Sequence, residues 1–516
     1  MPHRKTIAIV ASTAAGTVAR LSSLASQAIV GVYLSDAEVG LYALALGVVG
    51  ITGIWRNGGT ATYLPSIKPG EFDRFANPMF LWALCFGLAT ALLTLLVAAL
   101  ADRLPESLAQ YRVPGLAPLL AVLAIRAILS PFALIGRMRL SVEHRFTELA
   151  KLDTLNGLLR VAITWVVAAN GGGALALAVP YAAGTAIEAT SVWMLGGYRL
   201  SDFRPVLSRL PGIAILLGWP LVLAVLTSIR ADVSFLLIGL VLPASALGVF
   251  YFAFQLANQP NMFLAGSLQN VLAPILARNR GHADAERFGM ERVFAMAMLF
   301  VPVTTMAAAS VFPSAEQLVW GGKWASAAPA ITLLCIGSTY ATVSGLLYGP
   351  LIGLQRFRES AGFEFVKMLG IIGGAVAGGI VLRLNPEGLA GWGGSVTVIA
   401  ACVAAGMVTT SVAQLLWVAK TYRFTASETI RSLAFGPTLA GLTAIASQSI
   451  GHSIFTSMGL PPGRGSALVE FTAISITYLL LTMLAVRFTA ESILRDTVEA
   501  LPAPAKAFAR RLFALG

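Results

Sequence analysis

Long apolar runs separated by short polar segments recur along the whole chain. Taking about 20 consecutive apolar residues as the length that crosses a hydrocarbon core, fourteen stretches qualify. They run over 7–34, 41–64, 78–101, 114–135, 152–169, 174–195, 211–242, 249–277, 293–312, 328–354, 366–384, 396–419, 433–455 and 467–486. The pattern predicts an all-α polytopic membrane protein with about 14 transmembrane helices. The first stretch follows Arg4 and Lys5, as the core of a signal peptide would. Its apolar character resumes after Arg20 and continues to Leu34, so a membrane-retained helix is expected.

Composition sharpens this picture. Of the 516 residues 57% are hydrophobic and only 12% are charged, against about 25% charged in a soluble domain. A water-facing surface for a chain of this length needs more charge than that, which excludes a soluble protein. The net charge is +12, yet the basic residues recur in small groups between apolar runs and form no basic patch with interleaved aromatics, so no nucleic-acid partner is implied.

The 36 Lys and Arg residues set the orientation instead. Arg103, Arg112, Lys323, Arg383 and Arg464 fall on one side, and Arg20, Arg56, Arg126, Arg160 and Arg230 lie inside spans. All the others fall on the opposite side, which the bias of Lys and Arg toward short cytoplasmic loops makes the inner one. Both termini are then cytoplasmic, in a bacterial inner membrane. The loops are too short to hold a catalytic domain. Beyond Val486, Lys506, Arg510 and Arg511 alternate with Phe508, Leu512 and Phe513, the pattern of an interfacial amphipathic helix on an anionic leaflet and equally of a frayed basic terminus.

A repeat is legible. Leu34-Ser-Asp-Ala-Glu-Val-Gly-Leu-Tyr-Ala-Leu-Ala-Leu46 joins spans 1 and 2, and Leu242-Pro-Ala-Ser-Ala-Leu-Gly-Val-Phe-Tyr-Phe-Ala-Phe254 joins spans 7 and 8. Leu34, Gly40 and Ala45 match Leu242, Gly248 and Ala253, and Tyr42 matches Phe250. This organisation predicts an N-lobe over 1–209 and a C-lobe over 210–425 in parallel repeat. Two further spans follow over 426–486, then a tail over 487–516. Parallel repeats of this kind are a transporter architecture with the substrate site between the lobes.

Ionisable residues inside spans are costly unless they face a polar interior, so each needs a partner or a role. Arg160 and Glu188 fall at similar depth on adjacent helices and are expected to form a structural ion pair, with an ion-carrying role for Glu188 as the alternative. Arg20 shares a helical stripe with Ser12, Gly16, Ser23, Gln27 and Gly31, and repeat arithmetic places Arg230 close to its equivalent. Asp232, two positions on, points to another face. Arg56 sits in Trp55-Arg-Asn-Gly-Gly-Thr60, with Thr52 and Thr60 on its own face. Arg126 lies between Pro118 and Pro131, where a kink would free carbonyls to hold it. Five arginines against Glu188 and Asp232 favour an anionic substrate, and guanidinium matches phosphate geometry best. Span 8 adds the amides Gln255, Asn258 and Gln259, suited to sugar hydroxyls and equally to neighbouring helices.

Several chemistries have no residues to carry them. No Walker-type phosphate loop occurs, the four histidines have no zinc spacing, and Cys85, Cys335 and Cys402 all lie in spans, so no cofactor or metal is implied. Gly370, Gly374 and Gly378 form a helix-packing ladder.

Three segments carry a family likeness: Leu34 to Leu46, its sister Ala246-Leu-Gly-Val-Phe-Tyr-Phe-Ala-Phe-Gln-Leu-Ala-Asn-Gln-Pro260, and Trp320-Gly-Gly-Lys-Trp-Ala-Ser-Ala-Ala-Pro329. With the span count, the chain resembles the Wzx-type polysaccharide flippases of the multidrug/oligosaccharidyl-lipid/polysaccharide (MOP) exporter superfamily. The resemblance implies a transporter, not an enzyme. It would move an undecaprenyl-diphosphate-linked oligosaccharide from the inner to the outer leaflet by alternating access, beside a polysaccharide polymerase and export machinery. It implies cavity arginines for the diphosphate, which Arg20, Arg56 and Arg230 fit, with Arg126 as a further candidate. Gln27, Gln255, Asn258 and Gln259 are the sugar-contacting candidates, and Asp232 and Glu188 the ion-coupling ones. Leu21 stands where some relatives carry an acid beside the first-helix arginine. Two alternatives share the architecture or the setting: a cation-coupled exporter of small molecules, which would want net acid in its cavity, and a membrane-embedded glycan polymerase or ligase, which would carry a large external loop.

Overall fold

The computed structural model describes residues 2–64, 67, 71–101, 114–143, 145–196, 209–278, 283–353, 356–384, 394–459, 461 and 463–489. Among them helix is the only regular secondary structure. Fourteen long helices take up the fourteen predicted stretches in order. They are α1 (Pro2–Tyr33), α2 (Asp36–Thr52), α3 (Phe72–Leu100), α4 (Leu116–Val142), α5 (Phe146–Ala169), α6 (Leu175–Gly196) and α7 (Gly218–Gly239), then α8 (Ala244–Arg278), α9 (Ala283–Trp320), α10 (Ala328–Gly353), α11 (Phe357–Leu384), α12 (Gly394–Thr421), α13 (Ala426–Ser457) and α14 (Arg464–Thr489).

Ten of these are long and apolar enough to cross a membrane, and α2 with the short helix after it makes an eleventh, bent by 61°. The sequence predicts fourteen spans. The three others, α1, α8 and α13, are as long but less apolar over the described residues. They carry rows of polar positions: the Arg20 stripe, the amide row, and the Ser, Thr, Gln448 and His452 of α13. Apolar side chains such as Leu92, Met194 and Leu479 stay exposed on the helix surfaces, which suits lipid as the solvent. The protein is a multi-pass membrane protein. Of the tail, residues 490–516 fall outside the described residues.

The chain forms two compact units. The first comprises residues 1–252 and 351–403, hence α1–α7, the start of α8, all of α11 and the start of α12. Within it α1 packs along α5, α4 against α3 and α6, and α7 against α2 and α11. The second, residues 253–350 and 404–516, is built on α9, α13 and α14 packed together. There a Cβ on Gly436 would fall 1.7 Å from the Met298 carbonyl oxygen, and the Tyr478 hydroxyl donates to the Val303 carbonyl at 2.7 Å.

The first copy of the repeat opens α2 with a capping box. Ser35 Oγ accepts from the Glu38 backbone N–H and the Glu38 carboxylate accepts from the Ser35 N–H at 2.7 Å, which satisfies two orphan donors at once. Its glycine then meets the second copy. A Cβ on Gly40 would lie 1.8 Å from the Ala244 carbonyl oxygen, and one on Gly248 would lie 1.8 Å from that of Asp36. Asp36 and Ala244 are themselves repeat equivalents, so the contact is reciprocal. Tyr42 and Phe250 are both buried beside it, with Tyr42 edge-on to Tyr251 at 5.8 Å. The glycine ladder of α11 behaves as predicted: Cβ atoms on Gly374 and Gly378 would strike α12 at Cys402 and Ile399.

Candidate functional site

Arg56 owes its place to a broken helix. After Thr52 the chain turns, and Asn57, Gly58 and Gly59 adopt φ of 64°, 55° and 78°. Three left-handed residues in a row are affordable only because two are glycine and the third is Asn, which tolerates that region best. Neighbours hold the break in place. Trp82 of α3 donates from Nε1 to the Gly58 carbonyl at 3.0 Å, and Ser130 of α4 donates to Asn57 Oδ1 at 3.1 Å. The α7 backbone runs so close that a Cβ on Gly59 would sit 2.5 Å from the Leu221 nitrogen.

A second irregularity faces it. Residues Ile229–Val233 of α7 wind as a single π-type turn, a form that recurs at functional sites. It carries both Arg230 and Asp232. Asp232 lies against α2, where a Cβ on Gly50 would come within 2.6 Å of the Asp232 Cβ. Three arginines act on its charge: Arg56 first, then Arg126, then Arg230. Arg230 turns the other way and bonds through Nε to the Glu364 carboxylate of α11. The two side chains thus do diverge to different faces, as their spacing predicts.

Arg56 and Arg126 form the core of the site. Each acts on the other's charge, and neither makes a hydrogen bond or ion pair among the described residues. Two like charges left without a bonded counter-ion inside helices are expensive. Asp232 supplies one negative charge to the pair. Beside them Tyr181 of α6 is flanked by two guanidiniums, Arg126 at 5.2 Å and Arg160 at 4.1 Å from its ring centroid, with Arg160 also hydrogen-bonded to its hydroxyl. The buried Thr60 Oγ1 and Trp55 Nε1, at the break itself, have no hydrogen-bond partner among the described residues. The arrangement offers guanidinium donors to an anion with several oxygens, next to a break that keeps a buried indole N–H and a buried hydroxyl without partners among the described residues.

Several expectations change. Arg160 and Glu188 do not pair: Arg160 goes to Tyr181, while Glu188 accepts from Arg137 at 2.8 Å. Arg137 also bonds both oxygens of Asp153, at 2.8 and 3.1 Å. By hydropathy Arg137 falls just beyond the stretch 114–135, among the cytoplasmic loop charges. Placed near the end of α4, it reaches back between α5 and α6. Arg126 meets the Tyr181 ring rather than kink-freed carbonyls, and Thr52 bonds Thr94 at 2.7 Å rather than serving Arg56.

Other candidates lie elsewhere. Arg20 and the buried Gln27 are on α1, which packs along α5 with Gly157 against Ala19 and Ser22. Gln255, Asn258 and Gln259 belong to the second unit. There Asn258 donates to the Phe254 carbonyl of its own helix at 2.8 Å and Gln259 is buried. Glu364 falls just before the apolar run that begins at Val366 and Lys367 at its second position, so both read as the inner flank of a span. Ser360, Glu364 and Lys367 recur at helical spacing, and that polar stripe was the available signal.

The family model for "Polysaccharide biosynthesis protein" matches residues 29–329, more than half of the chain. The chain belongs to this family. Among curated proteins the chain is similar to the lipopolysaccharide biosynthesis protein WzxC of Escherichia coli (strain K12), with 23% identity over 282 residues. That match covers 53% of this chain and 56% of WzxC, so the chain spans about half the length of the curated relative it matches. Among solved structures it resembles the lipid II flippase MurJ in an inward closed conformation, with TM-score 0.60, 11% identity, and 93% of this chain and 99% of that one covered. It also resembles an outward-facing MATE-family multidrug transporter of the MOP superfamily, with TM-score 0.55, 14% identity, and 81% and 95% covered. The fold is that of the MOP exporters, and the resemblance read from the sequence to their Wzx-type members is borne out.

Proposed function

We propose that this protein is a flippase that carries an oligosaccharide repeat unit, linked through a diphosphate to an undecaprenyl lipid, across the inner membrane by alternating access. Its termini are cytoplasmic and its product feeds a polysaccharide polymerase and export machinery. The observation that carries this reading is the Arg56–Arg126 pair. Two guanidiniums close enough to act on each other's charge, without a bonded carboxylate among the described residues, are matched by a ligand with two linked phosphates better than by a cation or a neutral sugar. Arg230 supplies a third cation from the π-type turn, and Arg20 on α1 a fourth contact. Gln27, Gln255, Asn258 and Gln259 are assigned to the sugar.

Asp232 is the carboxylate placed to change partners when the anion arrives and is the ion-coupling candidate we favour. Glu188, engaged by Arg137, holds helices together. The family membership and the likeness to WzxC and MurJ support a transporter of lipid-linked glycans. Proteoliposomes containing the purified protein and a fluorescent prenyl-diphosphate glycan test it. The reading predicts that the glycan becomes accessible to an external lectin at a rate set by protein content. Equal rates in protein-free vesicles would overturn it.

A further inference from the structure

Glu364 is almost wholly removed from solvent, at 1% exposure, whereas its partner Arg230 is 30% exposed. The pair therefore has a closed acidic side and an open basic side. One turn further along α11 stands Lys367, three positions from Glu364 and so on the same face of the helix. One carboxylate thus lies within reach of a cation on each of two packed helices.

That sharing has a consequence. In an ordinary buried ion pair, drawing the guanidinium away strands a carboxylate, at a cost of several-fold to many-fold in any binding that requires it. Here Lys367, one turn along the same helix, can take over the carboxylate, so Arg230 can leave without creating an uncompensated buried charge. The π-type turn that carries Arg230 departs from the regular helical hydrogen-bond ladder, with the Ser234 hydroxyl donating to the Arg230 carbonyl at 3.1 Å.

We propose that Glu364 is an internal stand-in for the substrate's phosphate: it holds Arg230 in the empty protein, yields it to an incoming diphosphate, and is then neutralised by Lys367. The inference rests on the diphosphate reading above. Glu364 is a positioning residue that competes with the ligand, which keeps binding moderate and lets the lipid be released. Were the carboxylate absent, Arg230 would stay committed to the diphosphate.

The test is binding of farnesyl diphosphate and of inorganic pyrophosphate to the purified full-length protein, together with the transport rate in proteoliposomes. Glu364→Gln is expected to bind both probes about tenfold more tightly, the size of one charge-assisted hydrogen bond no longer competing, while its maximal rate falls and its half-saturating concentration drops. Arg230→Gln combined with Glu364→Gln is expected to bind like Arg230→Gln alone. Glu364→Asp, which keeps the charge and shortens the reach, provides a variant with less disturbance to folding and is expected to show the same sign with a smaller change. Unchanged or weaker binding in Glu364→Gln and Glu364→Asp would overturn the inference while leaving the diphosphate reading standing. Absence of any diphosphate binding to the unaltered protein would overturn that reading itself.

Discussion

Gly40 and Gly248, equivalent positions of a repeat, lie against each other's helix so closely that a Cβ on either would stand 1.8 Å from a backbone carbonyl oxygen across the contact. No side chain can yield there, because the obstacle is main chain on both sides. The N-termini of α2 and α8 are thereby fixed to one another through the positions the repeat shares.

The first prediction follows from that contact. Ala is preferred to Gly inside a helix by about 1 kcal/mol, so Gly40→Ala or Gly248→Ala at an open site would stabilise. Here overpacking of about 1–3 kcal/mol opposes it, and a 1.8 Å approach places the cost at the upper end. Both variants are expected to melt at lower temperature in detergent. Ala at Gly16 or Gly184, where a Cβ meets nothing within 4 Å, is the control.

The break that carries Arg56 is the second. Gly59→Ala must place a Cβ at a φ of 78° and 2.5 Å from the Leu221 nitrogen, which costs about 1–3 kcal/mol of backbone strain beyond the clash. Export in cells is expected to fall further than protein abundance, because Arg56 moves with the break. Trp82→Phe, which removes the donor to the Gly58 carbonyl, is expected to act in the same direction at about 1 kcal/mol.

Arg137 and Glu188 provide the third. Arg137→Gln leaves Asp153 and Glu188 facing each other without their shared cation. These groups are about a third exposed at most, so the loss is expected at about 1–2 kcal/mol, below that of a fully buried pair. Glu188→Gln keeps the two-pronged Arg137–Asp153 bond and is expected to preserve both abundance and export. Thermal stability and export measured on both variants separate a structural Glu188 from an ion-carrying one.

Helix positions were legible from hydropathy because lipid imposes a length and an apolar surface on each span. Side-chain partners were less so. Periodicity gives the depth and face of Arg160 and Glu188, but which neighbouring helix meets that face is decided by packing, and Arg137 took the carboxylate instead. Asp232 and Arg230 were separated correctly since two positions on a helix diverge. Glu364 and Lys367 escaped because both lie at the start of α11, where a charged residue reads as loop until a neighbouring helix is seen to cover it. The handed break at Asn57-Gly-Gly was visible as helix-loosening glycines; that it would bring Arg56 within electrostatic reach of Arg126 of α4 was not, since only the fold joins them.

Whether Arg56 and Arg126 grip a diphosphate is read from the affinity of purified protein for farnesyl diphosphate in unaltered, Arg56→Gln and Arg126→Gln forms, with farnesol as the uncharged control. Each substitution is expected to weaken farnesyl diphosphate binding about tenfold to a hundredfold, the worth of a charged hydrogen bond of about 1.5–3 kcal/mol, and to leave farnesol binding unchanged. Affinity for farnesyl diphosphate that stays the same in both variants would contradict it.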